Sequence, residues 1–275
     1  MAGDVDLGLF GPRSVSWRVH AEPILWVAGI RSLYLQALLP RAVAGVVQNS
    51  DYRTDSWGRL MRTAEYVGTV VYGTTEQAVR AGARVRGLHA RLRAVDPATG
   101  EEFRIDDPEL LMWVHVTEVE SFVTTARRAG LSLTDREVDQ YLAEQVRAAE
   151  LVGLDPHSVP SSAEAVNDYY SLMRPSLALT PPAVEVARFL AVPPMPHGLG
   201  WTPARPAWFG VAAVAFGLLP RWARRLYRMP GLPTTGVAAT LAARVIRVAF
   251  RALPLKPAPI YTAAMRRAER HTTAP

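Results

Sequence analysis

Helix-boundary signals recur from one end of this chain to the other, while the alternating apolar and polar runs that strands require are sparse. A first helix is expected over residues 21–38, after the Gly11-Pro12-Arg13-Ser14 turn. Pro40 interrupts it before 42–48 continue. Thr54 or Asp55 is the candidate cap of a second helix, which runs to Tyr72 and ends at Gly73. A third spans 75–94 and closes at the Asp96-Pro97-Ala98-Thr99-Gly100 turn. Asp107-Pro108, a favoured cap and first-turn proline, opens a fourth over 108–129, with Gly130 at its end. Capping boxes at Thr134 with Glu137 and at Ser161 with Glu164 start a fifth helix, which stops near Gly153, and a sixth, with Pro175 beyond it. After Pro193 the composition changes: Pro193, Pro194, Pro196, Pro203, Pro206, Pro220, Pro230 and Pro233 punctuate short apolar segments. The expected fold is all-α. It is a single large helical domain over 8–255 with a Pro-rich helical C-terminal layer, followed by a tail over 256–275.

With 49% hydrophobic residues in 275 the chain can bury a sizeable core. A formal charge of +6 is modest, and the basic residues are interleaved with Asp and Glu through most of the chain. No basic patch alternates with aromatics as in single-strand binders, so nucleic acid is not an expected partner. There is no cysteine, which removes disulfides, iron–sulfur clusters and thiolate chemistry. A reducing, cytoplasmic setting fits, and the start Met1-Ala2-Gly3-Asp4-Val5-Asp6 lacks the basic and apolar regions of an export signal. The longest apolar run, 207–219, has 13 residues, against the roughly 20 of a membrane-spanning helix. Arg221, Arg224, Arg225 and Arg228 come directly after it, and two readings stay open: a segment resting on anionic lipid, or a buried helix with a solvated basic end.

Two of the six histidines fall mid-helix among apolar residues. Val85, Leu88, His89 and Leu92 share a spacing that aims the imidazole at the core, and Arg93 lies one expected helical turn past His89. An imidazole beside a guanidinium can coordinate a haem iron and neutralise a propionate. The same spacing suits a core histidine bonded to a carbonyl. In the preceding helix Trp57, Leu60, Met61, Ala64, Val67 and Val71 form an apolar side, with Arg59 and Thr63 on one stripe and Arg62 beside them. These polar groups could hold an oxygen ligand or an anionic cofactor group, or form a solvated face. His115, with Leu111, Glu118 and Phe122 on neighbouring turns, reads as a core residue, a group bonded behind a ligand, or a second ligand. Glu118 and Glu120, two apart, point to different sides of their helix. Serine-hydrolase elbows, zinc helices, phosphate loops and dinucleotide fingerprints are absent.

Taken in order, several short motifs resemble the MpaB-type oxygenase family, the rubber oxygenase catalytic domain related to latex-clearing proteins. They are Gly11-Pro12, Ser16-Trp17-Arg18-Val19, Leu35-Gln36-Ala37-Leu38-Leu39-Pro40, Ser50-Asp51-Tyr52-Arg53, Trp57-Gly58-Arg59-Leu60-Met61-Arg62-Thr63, Val85-Arg86-Gly87-Leu88-His89 with Arg93, Asp107-Pro108, Leu110-Leu111-Met112-Trp113-Val114-His115, and Asp139-Gln140-Tyr141. The resemblance covers residues 8–255 and implies a largely helical fold carrying haem b. It implies His89 as the iron's proximal ligand, Arg93 supporting the haem, and Arg59, Arg62 and Thr63 on the distal side, with His115 assigned to the cofactor pocket. Dioxygen and a small apolar substrate, terpenoid or lipid-like, would be the partners, and a homo-oligomer is compatible with the sequence.

Three departures separate the chain from rubber cleavage. Leu39 stands where many relatives have histidine. Arg62 stands where latex-clearing proteins have a lysine, and an arginine that stays protonated cannot offer a lone pair to iron. No carboxylate upstream of Arg59 matches the family's catalytic glutamate; Gln48 is the nearest polar side chain. A peroxidase-like or dehydrogenase-like enzyme in the same pocket, and a non-catalytic peripheral membrane protein, are the competing readings.

Overall fold

A computed structural model describes residues 5–195, 202–254 and 256–273. Expectations that fell on residues 1–4, 196 or 255 lie outside the described residues. Helices dominate, and the only sheet among the described residues is one short hairpin.

Helix α1 (Val15–His20) begins at Ser14, whose side chain accepts from the Trp17 amide. The Val15 and Ser16 amides donate to the Glu144 carboxylate at 3.2 and 2.8 Å. A carboxylate far along the chain thus satisfies donors that every helix start leaves free. Sequence spacing cannot show such a cap, and it places the first helix only from residue 21. Helix α2 (Leu25–Gln36) is shorter than that expectation, and α3 (Pro40–Asn49) takes its proline in the first turn. Asp55, not Thr54, caps α4 (Ser56–Tyr72), accepting from the Gly58 amide at 3.0 Å.

Helix α5 (Thr75–His89) starts at a Thr74–Gln77 capping box and stops five residues before the expected 94. The chain turns instead into β1 (Arg93–Val95), antiparallel to β2 (Glu102–Arg104), with Ala94 opposite Phe103 and both buried. Helices α6 (Pro108–Arg128) and α7 (Asp135–Val152) have the expected starts at Asp107 and Thr134, and α7 ends on left-handed Gly153. Helix α8 (Ala163–Met173) is capped by Ser162, whose hydroxyl accepts from the Ala165 amide at 3.2 Å; the expected pair of Ser161 and Glu164 does not form the cap. Then come α9 (Pro181–Ala191), α10 (Ala204–Gly217), α11 (Arg221–Leu226), α12 (Thr235–Ala252) and α13 (Pro259–Thr273).

Helix α6 is the central pillar. It packs along α2 on one side and α7 on another, α10 lies on α2, and α12 lies on α10. The main core runs without a break from Val19 and Leu35 through Trp113 and Val116 to Leu218 and Tyr227, so the proline-punctuated layer shares the core of the first part. Deep in it the 1% exposed Arg31 pairs with Glu120 at 2.6 Å, and the Tyr170 hydroxyl donates to the same carboxylate at 3.0 Å. Arg31 also donates to the Leu218 carbonyl and the Ser121 hydroxyl. The stretch expected as a tail is largely α13, docked on α4: Ala264 is fully buried, the Tyr261 ring meets Tyr72 edge-on at 5.0 Å, and Arg267 donates to the Tyr72 carbonyl.

Candidate functional site: a polar cleft between three helices

His89 is the last residue of α5, and the chain beyond it is held tightly. Gln48, at the end of α3, bonds both the amide and the carbonyl of Val95 at 2.8 Å, and Asn49 donates to the Arg93 carbonyl at 2.8 Å. Arg93 is therefore not one helical turn beyond His89. It opens β1, and its guanidinium donates to the Ala90 and Leu92 carbonyls at 2.9 Å, capping the helix end. Leu88, expected on the inward face, is 52% exposed; Ala78, Gly82, Val85 and His89 form the inward side.

The half-buried His89 ring has an Nδ1 with no hydrogen bond, and none reaches its Nε2 among the described residues. Desolvation lowers its pKa, outweighing the nearby Asp106 carboxylate, so the imidazole is neutral near pH 7 and keeps a free lone pair. On α6, His115, Glu118 and Phe122 share one side. His115 Nε2 is buried without a partner, and burial takes its pKa down to about 4. Burial takes Glu118 the other way, up to about 7, and no hydrogen bond relieves it. Glu120, two residues on, faces Arg31 on the opposite side, as the spacing predicted.

Helix α4 presents Tyr66 to this group, while Arg59, two turns earlier on the same stripe, lies beside Tyr52 and Arg62. Tyr66 is pushed up to about 12, first by burial and then by the Glu118 charge, with Arg86 of α5 pulling the other way. It is thus the residue on which α4, α5 and α6 converge electrostatically. The Arg59 guanidinium makes no hydrogen bond among the described residues, and desolvation lowers its pKa. Arg62 and Thr63 lie outside this group. Arg62 pairs with Asp55 at 2.8 Å with its side chain 60% exposed, and the exposed Thr63 hydroxyl donates to the Arg59 carbonyl at 3.1 Å.

His115, Glu118, Tyr66 and Arg59 all keep some accessible surface while being strongly desolvated. We read that combination at His115, Glu118 and Tyr66 as the lining of a narrow cleft between facing helices. Packing agrees: α4 lies on α5, α1 and α13, α6 lies on α2 and α7, and α4 and α6 make little direct backbone contact. Two cavities of about 500 and 530 Å³ open elsewhere and hold none of these side chains. The cleft is identified by its desolvated polar groups, which report on chemistry more directly than concavity does.

Sequence reasoning sought a carboxylate upstream of Arg59 and missed Glu118. The signal was present, since Glu118 lies three residues past His115 and so shares its side of α6. No three His, Cys, Asp or Glu side chains converge on a metal-ion site among the described residues. A haem iron takes most of its bonds from the macrocycle and needs only one axial side chain. The unpartnered His89 imidazole and the unpaired Arg59 cation fit an anionic, iron-bearing cofactor.

The protein is all-α, with desolvated polar side chains on α4, α5 and α6. Over residues 17–252 its sequence matches the family described as ER-bound oxygenase mpaB/B'/Rubber oxygenase, catalytic domain. The chain belongs to this family of oxygenase catalytic domains. Comparison with curated proteins and with solved structures returned no match.

Proposed function

We propose that this oxygenase domain holds haem b through His89 and uses dioxygen on a small apolar substrate, terpenoid or lipid-like. The observation that carries the reading is the neutral, unpartnered imidazole at the end of α5, with an unpaired guanidinium on the neighbouring helix α4. Bound haem supplies the activation of dioxygen. His89 would hold its iron through the free imidazole nitrogen, and Arg93, by donating to the Ala90 and Leu92 carbonyls, fixes the backbone from which that ring projects.

Arg59 is the distal cation this structure favours, because it is desolvated and free. It would hold a carboxylate of the cofactor or stabilise negative charge near it, and either interaction would be strong where water is excluded. Arg62 is committed to Asp55 and adds positive potential from outside the cleft. Thr63, bonded back to its own helix, has a hydroxyl oxygen still able to accept. His115 stands as a second neutral imidazole in the wall. Glu118, near half-protonated at neutral pH, can give or take a proton in the cleft, with the Tyr66 hydroxyl close by. It supplies the carboxyl group absent upstream of Arg59.

The visible spectrum of the purified protein with added haemin tests this reading. The wild type should show a Soret band that His89→Ala abolishes and His115→Ala retains. A colourless wild-type protein that takes up no haemin, or an unchanged band in His89→Ala, overturns it.

A further inference from the structure

The apolar run 207–219, readable as lipid-facing or as a buried helix, lies mostly in α10, which buries Ala212 and Ala215 and hands Leu218 and Leu219 to the core. The unpartnered apolar face belongs to α12. Its inner side is closed by Ala239 and Ala243, while Val237, Leu241, Val245 and Val248 recur along its outer side at 63, 55, 68 and 67% exposure. Leu232 and Leu253 extend the stripe at either end, at 72 and 51%. Contiguous exposed apolar surface of this kind marks an interaction site. The helix is pinned in that orientation, because Arg247 and Arg251 both pair with the buried Glu22 at 2.7 Å.

Charge identifies the occupant. Residues 186–275 hold 13 basic side chains against the single acid Glu269, whereas residues 1–185 hold 18 basic and 24 acidic ones. The last third therefore carries +12 and the rest −6. Beside the stripe, a cavity of about 530 Å³ is lined by Arg128, Arg221, Arg224 and Arg244 together with Val237 and Leu241, and by no carboxylate. Arg224 is only 3% exposed, and its Nε has no partner. Arg128 is already bonded to the Leu218 and Gly236 carbonyls and to Thr240, so Arg221 and Arg244 are the exposed cations of this concavity; beside an apolar stripe in which Arg244 stands between Leu241 and Val248, they match a phosphate with hydrocarbon next to it. An acidic protein partner would answer the arginines but not the exposed aliphatic side chains of Val237, Leu241, Val245 and Val248.

We propose that the outer face of α12 and the arginine cavity beside it seat this protein on an anionic phospholipid surface, with the stripe among the acyl chains and the cavity on a headgroup phosphate. This inference is independent of the haem reading. Flotation with vesicles of phosphatidylcholine, alone or mixed with phosphatidylglycerol, tests it. The protein should float with the mixed vesicles, weakly or not at all with phosphatidylcholine, and less as salt rises. Leu241→Glu combined with Val245→Glu should abolish flotation. Arg221→Ala and Arg244→Ala should each weaken it about fivefold. All four positions are exposed, so the thermal melt of each variant should match the wild type. Equal binding to both vesicles, no binding to either, or intact flotation of the double glutamate variant overturns the proposal. So does a wild-type dimer that the double variant splits while vesicles are ignored, which would make the stripe a contact between copies. Displacement by millimolar inorganic phosphate at constant ionic strength would mark a free-anion site and also overturns it.

Discussion

The two sides of α6 treat buried charge in opposite ways. On the α2 side, Glu120 is held by Arg31 and Tyr170, and Arg31 also reaches Ser121 and the Leu218 carbonyl. On the α4 side, Glu118 and His115 are desolvated and without a hydrogen bond among the described residues, and Arg59 of α4 is likewise unpaired. A buried charge costs several kcal/mol unless it is paired. The first side contributes to folding by completing its bonds. The second leaves the penalty standing, as pockets do when a ligand is to complete them.

The largest effect that could break this contrast is at the paired side. Arg31→Met strands the Glu120 charge and should cost about 3–5 kcal/mol in urea unfolding. A loss below about 1 kcal/mol would mean that the network is ornamental and the two sides alike.

Glu118→Gln should do the reverse. The folded pKa is raised from 4.5 to about 7, so the wild type loses stability as pH rises through that window. The variant should be more stable by up to about 3 kcal/mol at pH 8 and equal at pH 4. Destabilisation at every pH would reveal a partner for this carboxylate and erase the difference between the sides.

A smaller effect is expected at Arg59→Leu. Removing an unpaired desolvated cation should leave the haem-free protein unchanged or more stable by about 1 kcal/mol, while haemin titration shows weaker uptake. Smallest is Arg62→Ala: its ion pair is exposed, and the urea midpoint should not move.

Much of the fold was legible because helix starts are local. The box at Thr134 with Glu137 and the Asp107-Pro108 start read directly from spacing and appear in place. What failed was non-local. Helix α1 depends on Glu144, and α5 ends where it does because Gln48 and Asn49 seize the chain beyond it, although the apolar period of Val85, Leu88, His89 and Leu92 continues. In the cleft, periodicity correctly turned His89 and His115 inward. It could not separate Arg59 from Arg62, because the difference lies in which guanidinium Asp55 captures. Nor could it show that Glu118 lacks a partner, since that depends on what the facing helix leaves unpaired.

The grip of Gln48 and Asn49 on the strand after His89 has a practical corollary. Beyond that clamp the hairpin tip around Gly100 has open space, and Asp96 and Thr99 hold it only through their own neighbours. A peptide tag or fluorescent reporter spliced in there would hang from a point already anchored upstream. It would leave the imidazole where α3 has put it, and the protein could be labelled eleven residues from His89 without shifting that ring.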